Sequence, residues 1–306
     1  LQYRALKDRA ADQFINESAV YAAAKQPAVS IDQYLANEVN IYGDEPGQMR
    51  LFKSLLRLYL ATYNYLDSIL VAFEGYRYFE RAGFDVLLRS DMDVFLAPPL
   101  ATWLPKHCND FYVGSGAYSN AFNRKRLRRV LVELGWRLGF PDDTDTNLGS
   151  TWISTPHQFR LVAYLTLLGM AYLAKEEFTE AERRGLVGTV NWPEWHYGVL
   201  LLYGQHLALS HLVGSGQLNL AQLQNLVDFP SGNEQSIYTV LHIHVYHGND
   251  MFSKFVFNAG LYDQMNVSDE QARLIKHYAL RMALEGNRQS CEQVYKLFLN
   301  RTSAKE

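Results

Sequence analysis

The feature that most limits what this chain can fold into is a short apolar run at residues 84–90, Phe-Asp-Val-Leu-Leu-Arg-Ser, which interrupts helical sequence and runs straight into acidic residues. Before it, residues 48–61 and 65–83 carry helical spacing, with the loop Tyr42-Gly-Asp-Glu-Pro-Gly47 as punctuation between helical stretches. The run itself is too short for a helix and too apolar for a loop, so it reads as a buried strand. Further strands are expected at 111–115, 150–154 and 238–246. Helices are expected at 123–138, from Pro156 onward, and at 197–212, 218–227, 269–285 and 289–299. Strands interleaved with helices predict an α/β fold, with a mostly parallel sheet beneath many helices. No repeat and no Pro/Gly/Ser-rich linker divides the chain. A single domain over 1–306 is therefore expected, with a helical part at 1–83, a core at 84–260 and closing helices at 261–306.

Composition excludes several classes. With 29 Lys and Arg against 32 Asp and Glu, the chain has no basic field to hold nucleic acid. The longest apolar stretch, 159–174, is interrupted by Arg160 and falls short of the ~20 residues a bilayer demands, so no transmembrane segment is expected. Cys108 and Cys291 can form one bridge at most. The chain opens on Leu1, so a Golgi or secretory address is expected if an upstream anchor was removed, and a cytoplasmic one otherwise. Sequons at Asn16, Asn266 and Asn300 are no more than chance supplies.

Chemistry concentrates at two places. Asp91-Met92-Asp93 follows the first strand. In extended backbone, residues two apart face one side, so both carboxylates can meet a hard cation such as Mn²⁺ or Mg²⁺. Two acids that only solvate a strand end would be spelled the same way. A second such pair, Asp143 and Asp145, lies in a polar loop and reads as a solvated turn. The other place is the segment from Leu241 to Lys254, which holds His242, His244 and His247, three of the nine histidines. His242 and His244 share a strand face and are expected to pack or to support. His247 ends the strand beside Gly248 and is the better placed to reach a cation. Lys254 supplies a compact charge for a phosphate. Three histidines also suit zinc, although no H-E-x-x-H is present.

In order and spacing these pieces resemble GT-A glycosyltransferases of the glycogenin-like and lipopolysaccharide galactosyltransferase-like kind. The resemblance rests on the strand and acidic pair at 84–95, on Thr146-Asn-Leu-Gly-Ser-Thr-Trp-Ile-Ser154, on Glu234-Gln235 and on the segment from His247 to Lys254. It covers roughly residues 70–260. It implies a GT-A-like sheet in which Asp91, Asp93 and His247 hold Mn²⁺ or Mg²⁺ on a donor diphosphate. Lys254 would touch that diphosphate, with Arg89 and Gly248 also at the donor. Asn147 and Gly149 would line the sugar pocket, and Glu234 and Gln235 would flank the reacting carbon. The implied partners are a nucleotide-sugar donor and a glycan, protein or lipid acceptor. The family's first nucleotide-binding strand has no match in residues 1–50, and the His-to-Lys gap is seven rather than six. The missing strand favours a second class, a non-catalytic interaction protein that keeps the fold. A zinc enzyme built on His242, His244 and His247 is a third.

Two further features carry paired readings. Trp192, Trp195 and Tyr197 offer flat faces to a sugar or pack helices together. The basic run from Arg124 to Arg129 meets an anionic acceptor or membrane surface, or is the solvated side of an amphipathic helix whose leucines face inward.

Overall fold

A computed structural model describes residues 47–141, 146–184, 195–245, 252–290 and 293. Helices Gly47–Leu60 (α1), Asp67–Glu74 (α2) and Tyr76–Arg81 (α3) lead into the strands Leu87–Arg89 (β1), Val94–Leu96 (β2) and Asp110–Ser115 (β3). Next come Ala121–Leu134 (α4), Leu148–Ser154 (β4), Pro156–Glu176 (α5), Glu180–Arg183 (α6), Leu200–Gly214 (α7) and Asn219–Gln222 (β5). Phe229–Pro230 (β6), His242–His244 (β7), Lys254–Asn258 (α8) and Ile275–Arg288 (α9) complete the elements. The α/β class expected from the alternating pattern is what the chain adopts. Among the described residues no helix is long and apolar enough to cross a membrane.

These elements gather into two compact units. Of the described residues, one unit holds those up to Arg89 together with those within Lys106–Gln222, and the other holds Ser90–Pro105 together with those from Leu223 onward. In the first, a four-stranded sheet runs β1-β4-β3-β5, antiparallel at β1/β4 and β4/β3 and parallel at β3/β5. Helices α5 and α7 carry apolar residues all round and are buried accordingly. Where they cross, a side chain on Gly169 would meet the backbone of Gly204 at 3.4 Å, so two glycines set how closely the helices approach. Local signals start and stop the helices. Thr155 caps α5 by accepting the Gln158 N–H, and Pro156 follows as its first residue. Asn120 caps α4, which stops at the left-handed Gly135.

The second unit has its own core. Its sheet runs β2-β7-β6, antiparallel at β2/β7 and parallel at β6/β7. Ile243 on the central strand is fully buried, and Phe229, Val245, Ile275, Ala279 and Leu280 belong to the same cluster.

Several expectations are corrected. Among the described residues the sheets are two, small and mixed, where one mostly parallel sheet was expected. Of the successive strands β1, β2 and β3, the middle one belongs to the second unit and the other two to the first, so neither step returns a strand beside the one before it. Residues 218–227 hold the strand β5 rather than a helix. Left-handed backbone at Gly216, Asn225 and Asp228 brackets that segment and is incompatible with helix. The strand expected at 238–246 is confined to β7, because Ser236 caps a 3₁₀ turn at Ile237–Thr239. The helix expected from 269 begins at Ile275. Residues 294–299 lie outside the described residues.

Candidate metal centre

The centre lies wholly within the second unit and is assembled by one strand pairing. β2 and β7 run antiparallel with Val94 opposite His244, and the Val245 N–H donates to the Asp93 carbonyl at 3.0 Å. Asp93, one residue ahead of β2, therefore lies beside the end of β7. Asp91 and Asp93 sit on the turn entering β2 and not on the end of a central strand. The strand before them, β1, is an edge strand of the other unit. Met92 between the two acids is fully exposed, while Asp91 and Asp93 on either side of it are partly buried. His244 Nε2 stands 3.2 Å from Asp93 Oδ1 and 3.9 Å from Asp91 Oδ2. Lys254, first residue of α8, brings its Nζ to 2.5 Å from Asp93 Oδ2.

One ligand atom from each of Asp91, Asp93 and His244 lies within 4.8 Å of the others. Donors held at about 2.1 Å by one ion are at most ~4.2 Å apart, so a small side-chain rotation closes this set on a single cation. Two carboxylates and an imidazole suit Mn²⁺ better than Mg²⁺, which prefers oxygen alone, and lack the thiolates of a closed structural zinc site.

Charge in the cluster is tightly coupled. Burial raises the Asp93 carboxyl, but hydrogen bonds from His244 and Lys254 outweigh it and hold the group well below the ordinary carboxylate range. Burial lowers His244, yet the Asp93 hydrogen bond and the charges of Asp93, Asp228 and Asp91 raise it overall. His242 is fully buried, and burial together with the neighbouring His244 pushes it down to about 4. Its Nδ1 accepts the Asp228 N–H at 3.2 Å.

Among the described histidines one differs from expectation. His244, expected to pack or support, is the imidazole brought to the carboxylates, because the register places it one step from Asp93. His242 keeps its core role. His247 and Gly248 lie outside the described residues, as do Asp143, Asp145, Trp192 and Cys291. Asp228 had escaped notice, since nothing in its spacing links it to residues fourteen positions on. The left-handed backbone it adopts (φ 54°) is visible only once the chain is folded.

Other expected site residues have partners of their own. Glu234 is exposed and bound by Lys276 at 2.6 Å. The hydrogen bond and charge of that lysine hold it below its ordinary range, which weakens it as a general base. Gln235 is exposed, and its N–H donates to Asn233 Oδ1 at 2.8 Å. Arg89, Asn147 and Gly149 belong to the first unit. The Arg89 guanidinium binds the Ser68 carbonyl and hydroxyl and the Ser150 carbonyl, and stacks over Trp152 at 4.9 Å. Asn147 Oδ1 accepts the Ser119 N–H at 2.7 Å, and the Gly149 carbonyl accepts Gln205 Nε2 at 2.7 Å. Trp195 stacks on Tyr203 at 4.2 Å and on Phe178, which is helix packing. Arg126 and Arg129 pair with Glu177, so part of the basic run is neutralised on the solvated side of α4. Cys108 is a free, exposed thiol.

The family described as Domain of unknown function (DUF7164) matches residues 47–306. The chain belongs to this family. No curated protein and no solved structure matches it. The described residues of both units, and every member of the candidate metal cluster, lie inside the DUF7164 span.

Proposed function

We propose that this DUF7164 protein is a metal-dependent glycosyltransferase that moves a sugar from a nucleotide-sugar donor to an acceptor. The observation that supports it is the convergence of Asp91, Asp93 and His244 with a lysine at the same carboxylate. A divalent ion bound there would neutralise charge on a departing diphosphate. Asp91, Asp93 and His244 hold the ion. Lys254 is positioned to swing from Asp93 to a diphosphate oxygen, where an ammonium stabilises the leaving group without itself being a ligand. The order of motifs along the chain, which resembles the GT-A enzymes, narrows metal chemistry to sugar transfer. His242 faces Asp228 and accepts a backbone N–H at its Nδ1, which counts against a three-histidine zinc centre.

The test is calorimetric titration of uridine- and guanosine-diphosphate sugars against the protein with and without Mn²⁺. Binding of at least one sugar nucleotide that requires Mn²⁺ is expected. Equal binding in both conditions sinks the metal role, and stoichiometric zinc that Mn²⁺ cannot displace points to a zinc centre. A protein that takes up neither metal nor nucleotide is a non-catalytic one.

A further inference from the structure

Behind the metal cluster lies a buried carboxylate that the proposed chemistry does not use. The Asp228 side chain is 1% exposed, and its Oδ1 faces two imidazoles, at 3.8 Å from His244 Nδ1 and 3.9 Å from His242 Nε2. The pairing of β6 with β7, Phe229 opposite Ile243, sets Asp228 beside this stretch of the strand. The residue adopts left-handed backbone at φ 54°, which costs a non-glycine residue free energy and concentrates where structure serves a site. The surrounding loop holds that conformation: the Leu226 carbonyl accepts the Leu241 N–H at 2.7 Å, and the Asp228 N–H is given to His242 Nδ1. With Nδ1 accepting, the His242 proton sits on Nε2, on the side of Asp228. His244 in turn lies between two carboxylates, Asp228 behind Nδ1 and Asp93 in front of Nε2 at 3.2 Å.

We propose that Asp228 is a positioning residue that keeps the His244 proton on Nδ1 and so presents the Nε2 lone pair to a cation shared with Asp91 and Asp93. A separation of 3.8 Å is that of an ion pair, and a small rotation of either side chain closes it to a hydrogen bond. A carboxylate behind a metal-bound imidazole selects the tautomer and raises the basicity of the ligating nitrogen. The inference rests on the metal assignment above, and it adds which residue makes His244 competent as a ligand.

The experiment uses the full chain, with Mn²⁺ as probe and no nucleotide. Asp228→Asn preserves shape, and asparagine tolerates left-handed backbone, so the melting curve should be nearly unchanged. Mn²⁺ affinity should fall about 10- to 100-fold. In a His244→Ala background the same substitution should change affinity less than about threefold, because Asp228 acts through that ring. A through-space charge effect would instead persist in that background and would overturn the role. Should Asp228→Asn fail to fold, ¹⁵N NMR of the histidines in the Mg²⁺-loaded wild type decides. His244 protonated on Nδ1 supports the proposal, and a proton on Nε2 overturns it. Wild-type uptake of Mn²⁺ with an undiminished Asp228→Asn affinity defeats this inference alone. A wild type that takes up no divalent ion defeats the metal assignment as well.

Discussion

At the scale of single residues, Asp93 is the hinge of the site, since both Lys254 and His244 converge on its carboxylate. Asp93→Asn removes the charge while keeping the shape. Its Mn²⁺ affinity should drop by more than the ~100-fold typical of residues behind the ligands. Calorimetry with Mn²⁺ alone checks this, and a wild-type affinity would take Asp93 out of the centre. Lys254→Met has a two-sided expectation. Its ammonium competes with a cation for Asp93, so Mn²⁺ binding without nucleotide should tighten, by up to about tenfold or ~1.4 kcal/mol. Sugar-nucleotide turnover should fall by about 10²–10³, because a charge on the leaving diphosphate is lost. Unchanged values on both counts would leave Lys254 an ordinary surface pair. The acidic pair and the lysine were legible from spelling alone. The partner histidine was not, because position along the chain favours His247 at the strand end over His244 within it, and it is the pairing with β2 that sets His244 beside Asp93.

At the scale of elements, the crossing of α5 and α7 makes the sharpest demand. An added Cβ at Gly204 would lie 2.5 Å from Met170 Cγ and 2.7 Å from the Thr166 carbonyl oxygen. The methionine can swing aside and the carbonyl cannot. Gly204→Ala should therefore destabilise the protein by about 1–3 kcal/mol, read from the urea midpoint. Gly216→Ala meets no atom within 4 Å, so only its left-handed backbone (φ 71°) is penalised, by about 1 kcal/mol. If the two variants unfold at the same denaturant concentration, the helices pack more loosely than their geometry indicates. α4 and α5 were legible because Pro156 and the leucine spacing are local signals. β5 was not, since a segment with helical spacing became a strand through its pairing with β3.

For the molecule as a whole, the first unit carries a pH response of its own. His206 is buried, with the Tyr118 hydroxyl 3.0 Å from its Nδ1. Burial first, and the charge of Arg124 second, push it down to about 4. The unfolded chain, with a histidine near 6.5, then binds more protons than the folded one between those values. Stability should be complete above about pH 6.5 and decline as the pH falls toward 4, by up to ~3 kcal/mol. Denaturant midpoints measured across that range should slope for wild type and slope less steeply for His206→Gln, the remaining slope belonging to His211 and His242, which are also pushed down to about 4. Equal slopes would assign the acid sensitivity elsewhere. In the second unit, Mn²⁺ at 100 times its Kd should add about 2.7 kcal/mol of protection, seen as slowed hydrogen exchange in residues 90–105 and 223–290.

By itself the sequence determined the α/β class, the helix start at Pro156, the absence of a basic field and the spacing of the acidic pair. Each of these depends on neighbours along the chain: periodicity, turn chemistry and spacing within a few residues. What the tertiary structure decided is everything that needs distant segments to meet. It assigned β1 and β2 to different units, mixed the sheets and brought His244 to Asp91 and Asp93. It also set Asp228 behind that imidazole, though the two are sixteen positions apart. Strand pairing is a non-local contact whose register is chosen by the core it buries, here Ile243 between Phe95 and Phe229. A spacing rule has no access to that choice, and so the candidate ligand set emerges only when the sheet forms.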